Sequence, residues 1–235
     1  MGTCGASCGI TKEREKDLLR ARAAAERAHP GFSWSRARAF TPPAVTHDAL
    51  VDLARKLEAI LPVRVLVRAG DRGECDSLYV LAGLHRPSLC EIKDALDPPS
   101  APAACALRET YVRVAISPHG RFAVLQEVVF SAEPADEGLT IVEEPQAGVV
   151  DRRLQHIIKG LQGALRKAKL VVLDLAAVLR PIEGATRSAE LAVCFDEPVS
   201  LWSLLFEGLS PMATRATWAP SMVGLHCEEA SLPVG

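Results

Sequence analysis

Apolar residues recur at helical spacing in four stretches of the chain. Leu50, Ala54, Leu57 and Leu61 repeat on one face, with Val51, Leu53 and Ile60 alongside. Thr46 stands where an N-cap belongs and Pro62 stops the pattern, which predicts a helix from Thr46 to Leu61. Val150, Leu154, Ile157, Ile158, Leu161 and Leu165 share a second helical face. Pro198 opens a shorter third helix, packed through Leu201, Leu204 and Leu205 and ending near Phe206. A fourth runs from about Thr11 to His29, where Pro30-Gly31 breaks it. Its apolar residues are only Leu18, Leu19 and a set of alanines, so it is expected on the surface. Pro87 precedes one more short helix ending near Leu96, before Pro98-Pro99.

Between these stretches the period falls to two. Val63, Val65 and Val67 alternate with Arg64, Leu66 and Arg68, and a second strand spans Leu78 to Ala82. Tyr111–Ser117 and Arg121–Ser131 flank Pro118-His119-Gly120, a hairpin signature. Val112, Val114 and Ile116 share one face of the first arm. The second arm carries apolar residues on both faces (Phe122, Val124, Val128 and Phe130 against Leu125 and Val129), as a central strand does. Further strands are expected at Leu139–Glu143, at Leu170–Leu173 and at Glu190–Phe195. Residues 31–45 and 69–76 read as loops. Residues 1–10 read as a small, glycine-rich flexible leader, and residues 209–235, without periodicity, as a C-terminal extension.

The expected fold is therefore α+β, a largely antiparallel sheet with packed helices, in one domain over residues 11–208. Two stretches, 46–96 and 149–207, share the order helix, strand, strand, helix, with the hairpin at 109–131 between them. Leu78-Tyr79-Val80 echoes Leu191-Ala192-Val193. A pseudo-twofold repeat accounts for this, and so does coincidence, because the unit is a common one.

Composition narrows the class of protein. Hydrophobic residues are 49% and charged residues 24% of the 235, an ordinary globular balance that argues against disorder. Aromatics are only 5%, so the core has to come from Leu, Val, Ile and Ala. The formal net charge of −2 gives no overall pull toward nucleic acid, and none is expected as a partner. The longest apolar run, Leu170 to Leu179, is interrupted by Asp174 and is about half of what a membrane span needs. Seven cysteines without a signal-type apolar stretch argue against a disulfide framework. The expected location is the cytoplasm, or the nucleus in a eukaryotic or viral setting.

Candidate chemistry is sparse. Cys4 and Cys8 form a C-x3-C pair that lacks the second pair a metal site needs, so no metal and no cofactor are expected. Met1-Gly2 with Cys4 offers a lipid-attachment reading, but Ala6 stands where that motif takes Ser or Thr. Cys4, Cys8 and Cys227 are candidate reactive thiols, and His226-Cys227-Glu228 points three active side chains in different directions. Asp71, Glu74 and Asp76 lack the spacing of a calcium loop. Asp174 follows an apolar strand and reads most simply as a capping carboxylate or a hydrogen-bonded carboxylate of the core. Lys159, Arg166, Lys167 and Lys169 make the end of one helix basic, suited to an anionic partner or to its own dipole. Gly160 and Gly163 in that helix allow close packing. His119 reads as a solvated turn residue.

By elimination, the leading expectation is a non-enzymatic protein that regulates or binds a protein partner, with homo-oligomers allowed. One alternative is an enzyme whose pocket gathers distant residues such as Asp174 or Cys227. Another is an adaptor anchored by lipid at Gly2 and Cys4.

Overall fold

The computed structural model describes residues 12–35, 45–68, 75–81, 107–135, 138–146, 152–194, 197–206 and 214–218. Helix α1 (Lys12–Ala28) leads through a single turn of 3-10 helix into the two-residue strand β1 (Ser33–Trp34). Helix α2 (His47–Ile60) follows, then strands β2 (Arg64–Arg68) and β3 (Asp76–Leu81). The long pair β4 (Leu107–Ile116) and β5 (Phe122–Ala135) comes next, with β6 (Gly138–Pro145) returning along β5. Helix α3 (Arg152–Lys167), strand β7 (Val171–Leu173) and the one-turn helix α4 (Leu175–Val178) follow. Strand β8 (Thr186–Arg187), helices α5 (Ala189–Cys194) and α6 (Leu201–Leu205), and strand β9 (Thr214–Trp218) complete the order.

One seven-stranded sheet runs β2-β3-β4-β5-β6-β9, antiparallel at every step. β7 is the exception, lying parallel to β5. The fold class is thus α+β around a mostly antiparallel sheet. β5 is central, as its two apolar faces predict. β4 covers one edge over most of its length. The other edge is divided between β7, beside Phe122–Val124, and β6, beside Val128–Ala135.

Strand alternation sends side chains into two cores. Leu78, Val80, Val112, Val114, Ile116 and Ala123 meet Leu50, Leu53 and Leu57 of α2 and Leu154, Ile157, Leu161 and Leu165 of α3. On the opposite face Ala115, Phe122, Val124 and Leu173 meet α1 and α6. At this end the sheet is clad by helices on both faces. Gly160 of α3 permits close approach to α2: a Cβ there would lie 2.5 Å from the Leu61 side chain. Gly163 has open space around it.

Several expectations need correction. α1 lies at the surface as expected, with most of its residues exposed, but it also has a packed face that the few apolar residues do not announce. Ala21, Ala24 and Ala25 are buried beneath Trp202, Leu204 and Leu205 of the second core. Alanines supply little apolar area, but their small size lets a second helix come close, so the stripe is a packing face. The strand expected at Glu190–Phe195 is the helix α5, begun by a bond from the Ala192 amide to the Ser188 carbonyl. Ala, Glu and Leu tolerate either state over so short a run, and Leu191 packs into the second core from the helix. The second helix–strand–strand–helix unit therefore lacks its second strand, and its first strand pairs in parallel with β5 where β2 pairs antiparallel with β3. The repeat has no counterpart in the strand pairing. Within the non-periodic C-terminal stretch, 214–218 adds an edge strand to the sheet. The helix expected at 87–96 and the leader at 1–10 lie outside the described residues. Among the described residues, no helix is long and apolar enough to cross a membrane.

Candidate functional site

Most residues singled out from sequence do not come together. Asp174 is exposed and caps α4, its Oδ1 accepting from the Ala177 amide at 3.0 Å. Gly2, Cys4, Cys8 and Cys227 lie outside the described residues. Cys75 is buried and its thiol donates to the Asp76 carbonyl at 3.1 Å. Among the described residues, no three His, Cys, Asp or Glu side chains are grouped as a metal site would require.

A site does form where sequence reasoning placed only one turn and one helix end. A cleft of about 500 Å³ opens between α1, the β4–β5 turn and the start of β7. Ala23, Ala24, Gly120, Phe122 and Val171 contribute apolar walls, and Arg20, Arg27, Arg121 and Lys169 contribute cationic side chains. His119 completes the lining, which contains no carboxylate among the described residues. All four cationic residues are exposed.

Each contributor is placed for a local reason. Arg20, Ala23, Ala24 and Arg27 follow helical spacing, so α1 presents them as one stripe. Exposed Leu19, 63% accessible, sits one turn before Ala23 and continues that stripe. The β4–β5 turn is closed by the Ser117 amide bonding to the Phe122 carbonyl at 3.0 Å, and Ser117 Oγ accepts from the His119 amide at 3.1 Å. Gly120 packs tight on the Phe122 ring, where a Cβ would sit 2.5 Å away. The turn is thereby held as one wall.

His119 is half-buried rather than solvated. Its ring meets buried His29 edge-on, with centroids 5.6 Å apart. His29 Nε2 lies 2.9 Å from the Leu204 carbonyl; a carbonyl only accepts, so that nitrogen carries the proton. The contact ties the hairpin turn to the end of α1 and to α6.

The other wall is the end of α3. The Leu170 amide bonds to the Leu165 carbonyl and the Lys169 amide to the Arg166 carbonyl, both at 2.9 Å. This bond pair closes a helix through a left-handed residue, normally glycine. Here that residue is Lys169, at φ 61°. A lysine in that conformation costs about 1 kcal/mol relative to glycine. Phe32, at φ 50°, is the other non-glycine with positive φ among the described residues. Arg121 adds to the closure, its Nε donating to the Lys169 carbonyl at 3.3 Å and its Nη2 to the Ala168 carbonyl at 2.8 Å. The guanidinium is thus fixed in orientation on the cleft rim. Arg20 pairs with Asp17 at 3.4 Å. Lys159, Arg166 and Lys167, read from sequence with Lys169 as one basic end, do not line the cleft.

A second polar cluster lies farther along the same sheet face. Arg113 donates to Gln126 directly across the β4–β5 ladder, and both are buried. Tyr111 Oη donates to Glu143 at 2.8 Å, and the Tyr79 and Tyr111 rings are 5.3 Å apart. These bonds satisfy polar groups inside the sheet and act structurally. No family model matches the chain, and neither a curated protein nor a solved structure is similar to it.

Proposed function

We propose that this is a non-enzymatic binding protein that acts through contact with a protein partner, and that the partner docks in the cleft beside α1. The supporting observation is the lining: four exposed cations and apolar walls, with no carboxylate among the described residues of the lining. Such a cleft suits a segment that inserts an apolar side chain beside negative charge. The hairpin turn and the α3–β7 turn are closed by their own hydrogen bonds and by Arg121, so these two walls are formed before binding, which lowers the entropic cost of docking. Leu19 extends the apolar contact past the cleft mouth. A cytoplasmic location belongs to the same proposal. It is supported by the odd number of cysteines.

Site-specific photocrosslinking tests the docking face. A benzoylphenylalanine at Ala23 is expected to trap a partner in cells, and the double variant Arg20→Glu/Arg27→Glu to abolish the adduct. The same probe at Lys56, on exposed α2 surface, serves as the control. Equal yields of one adduct from Ala23 and Lys56 sink the reading.

A further inference from the structure

We infer that the anion received by this cleft is a phosphorylated side chain of the partner, not a carboxylate. This rests on reading the cleft as a docking site, and deepens it by naming the ligand's chemistry.

Charge makes the first argument. The cleft carries four cationic side chains, of which Arg20 is offset by Asp17. The C-terminal dipole of α3 removes roughly another half charge, leaving about +2.5. A carboxylate brings one negative charge, whereas a phosphoserine or phosphothreonine brings about 1.5 to 2. The dianion is the better match, and among the described residues no lining carboxylate competes for the cations.

Geometry makes the second. Arg121 spends Nε and Nη2 on the carbonyls of Lys169 and Ala168, which locks its plane. Its Nη1 has no partner among the described residues. A locked guanidinium loses little freedom on binding and offers directed donors to phosphate oxygens. Arg27 and Lys169 likewise have no ion-pair partner among the described residues. The cations are contributed by α1, the hairpin turn and the α3–β7 turn, so they border the cleft on separate sides. Three acceptor oxygens on one phosphorus accommodate that spread better than the two of a flat carboxylate.

The third argument is Lys169 itself. The backbone there favours glycine, yet the chain keeps a lysine in a strained conformation at the cleft rim. Backbone held in this region clusters at ligand clamps and binding sites. The size of the cleft, about 500 Å³, exceeds a lone phosphate, and its apolar walls suit the residues flanking the modified one.

Fluorescence polarisation on the full chain at 150 mM NaCl tests this with three synthetic peptides. They are identical except for a central Ser, Glu or phosphoserine between leucines. The phosphopeptide is expected to bind at least tenfold tighter than the Glu peptide, and the Ser peptide not measurably. Arg121→Gln and Lys169→Gly should each weaken the phosphopeptide severalfold while thermal unfolding shows them folded. Equal binding of the Glu and phosphoserine peptides, lost on Arg27→Glu, overturns the phosphate assignment and leaves the docking site intact. Binding that Arg27→Glu does not change, or no binding by any peptide, overturns both. Single-stranded DNA binding tighter than the phosphopeptide, through the same residues, also overturns it in favour of a nucleic acid.

Discussion

At the scale of single residues, Lys169 separates stability from binding. Its left-handed backbone closes α3 with bonds that glycine would make at lower cost. Lys169→Gly is therefore expected to raise unfolding stability by about 0.5–1 kcal/mol in urea titrations. A loss of stability would show that the lysine stem packs usefully and that the strain argument is wrong. Core positions behave differently. Leu161 is fully buried between α3 and the sheet, so Leu161→Ala should cost about 2–5 kcal/mol. Leu19→Ala, on exposed surface, should stay within about 0.5 kcal/mol. Thr46, Asp174 and the core leucines were legible from sequence because their roles are local: a cap or a helical stripe. The cleft cations were less so. Arg20 and Arg27 share a visible spacing with Ala23 and Ala24, but the approach of Arg121 and Lys169 depends on a chain separation of 48 residues bridged by one side chain.

At the scale of elements, the instructive case is α1. Few apolar residues and many charges predict a surface helix, and most of α1 is exposed; its one packed face follows from side-chain size rather than hydropathy. Ala21 is fully buried against the α6 side of the core. On an exposed helix face Ala21→Leu would be almost neutral. Here it should overpack the contact and cost about 1–3 kcal/mol, measured by thermal or chemical unfolding. The hairpin and helices α2 and α3 were legible because long, strongly periodic stretches leave one choice of face. The six residues of α5 were not, since a run that short fits helix and strand about equally, and packing of Leu191 into the core decides.

For the whole molecule, the sheet order could not be read from the chain. β7 joins β5 in parallel only because α3 carries the chain back over the sheet, and β9 closes on β6 from a stretch with no strand-like alternation. Non-local pairings of this kind have no local signal. β9 also protects an edge. A chain ended before Thr214 would leave the outer edge of β6 with unpaired backbone groups, which template association. Size-exclusion chromatography should then show stronger concentration-dependent association than the full chain shows; unchanged association on truncation would mean that β9 is dispensable.

The cleft walls come from around residues 20–27, 119–122 and 169–171, three segments that are neighbours only once the sheet and both helical layers are complete. In kinetic terms the site is a late product of folding, because its contacts close long loops. An unfolded or half-assembled chain has no such site. Any ligand of the cleft is therefore also a ligand of the native state alone, and by mass action it holds the entire fold. A saturating phosphopeptide at about one hundred times its Kd should add close to 2.7 kcal/mol, seen as a rise in Tm of several degrees. A protein built in this way would be longest-lived in the cell when its partner is present and marked.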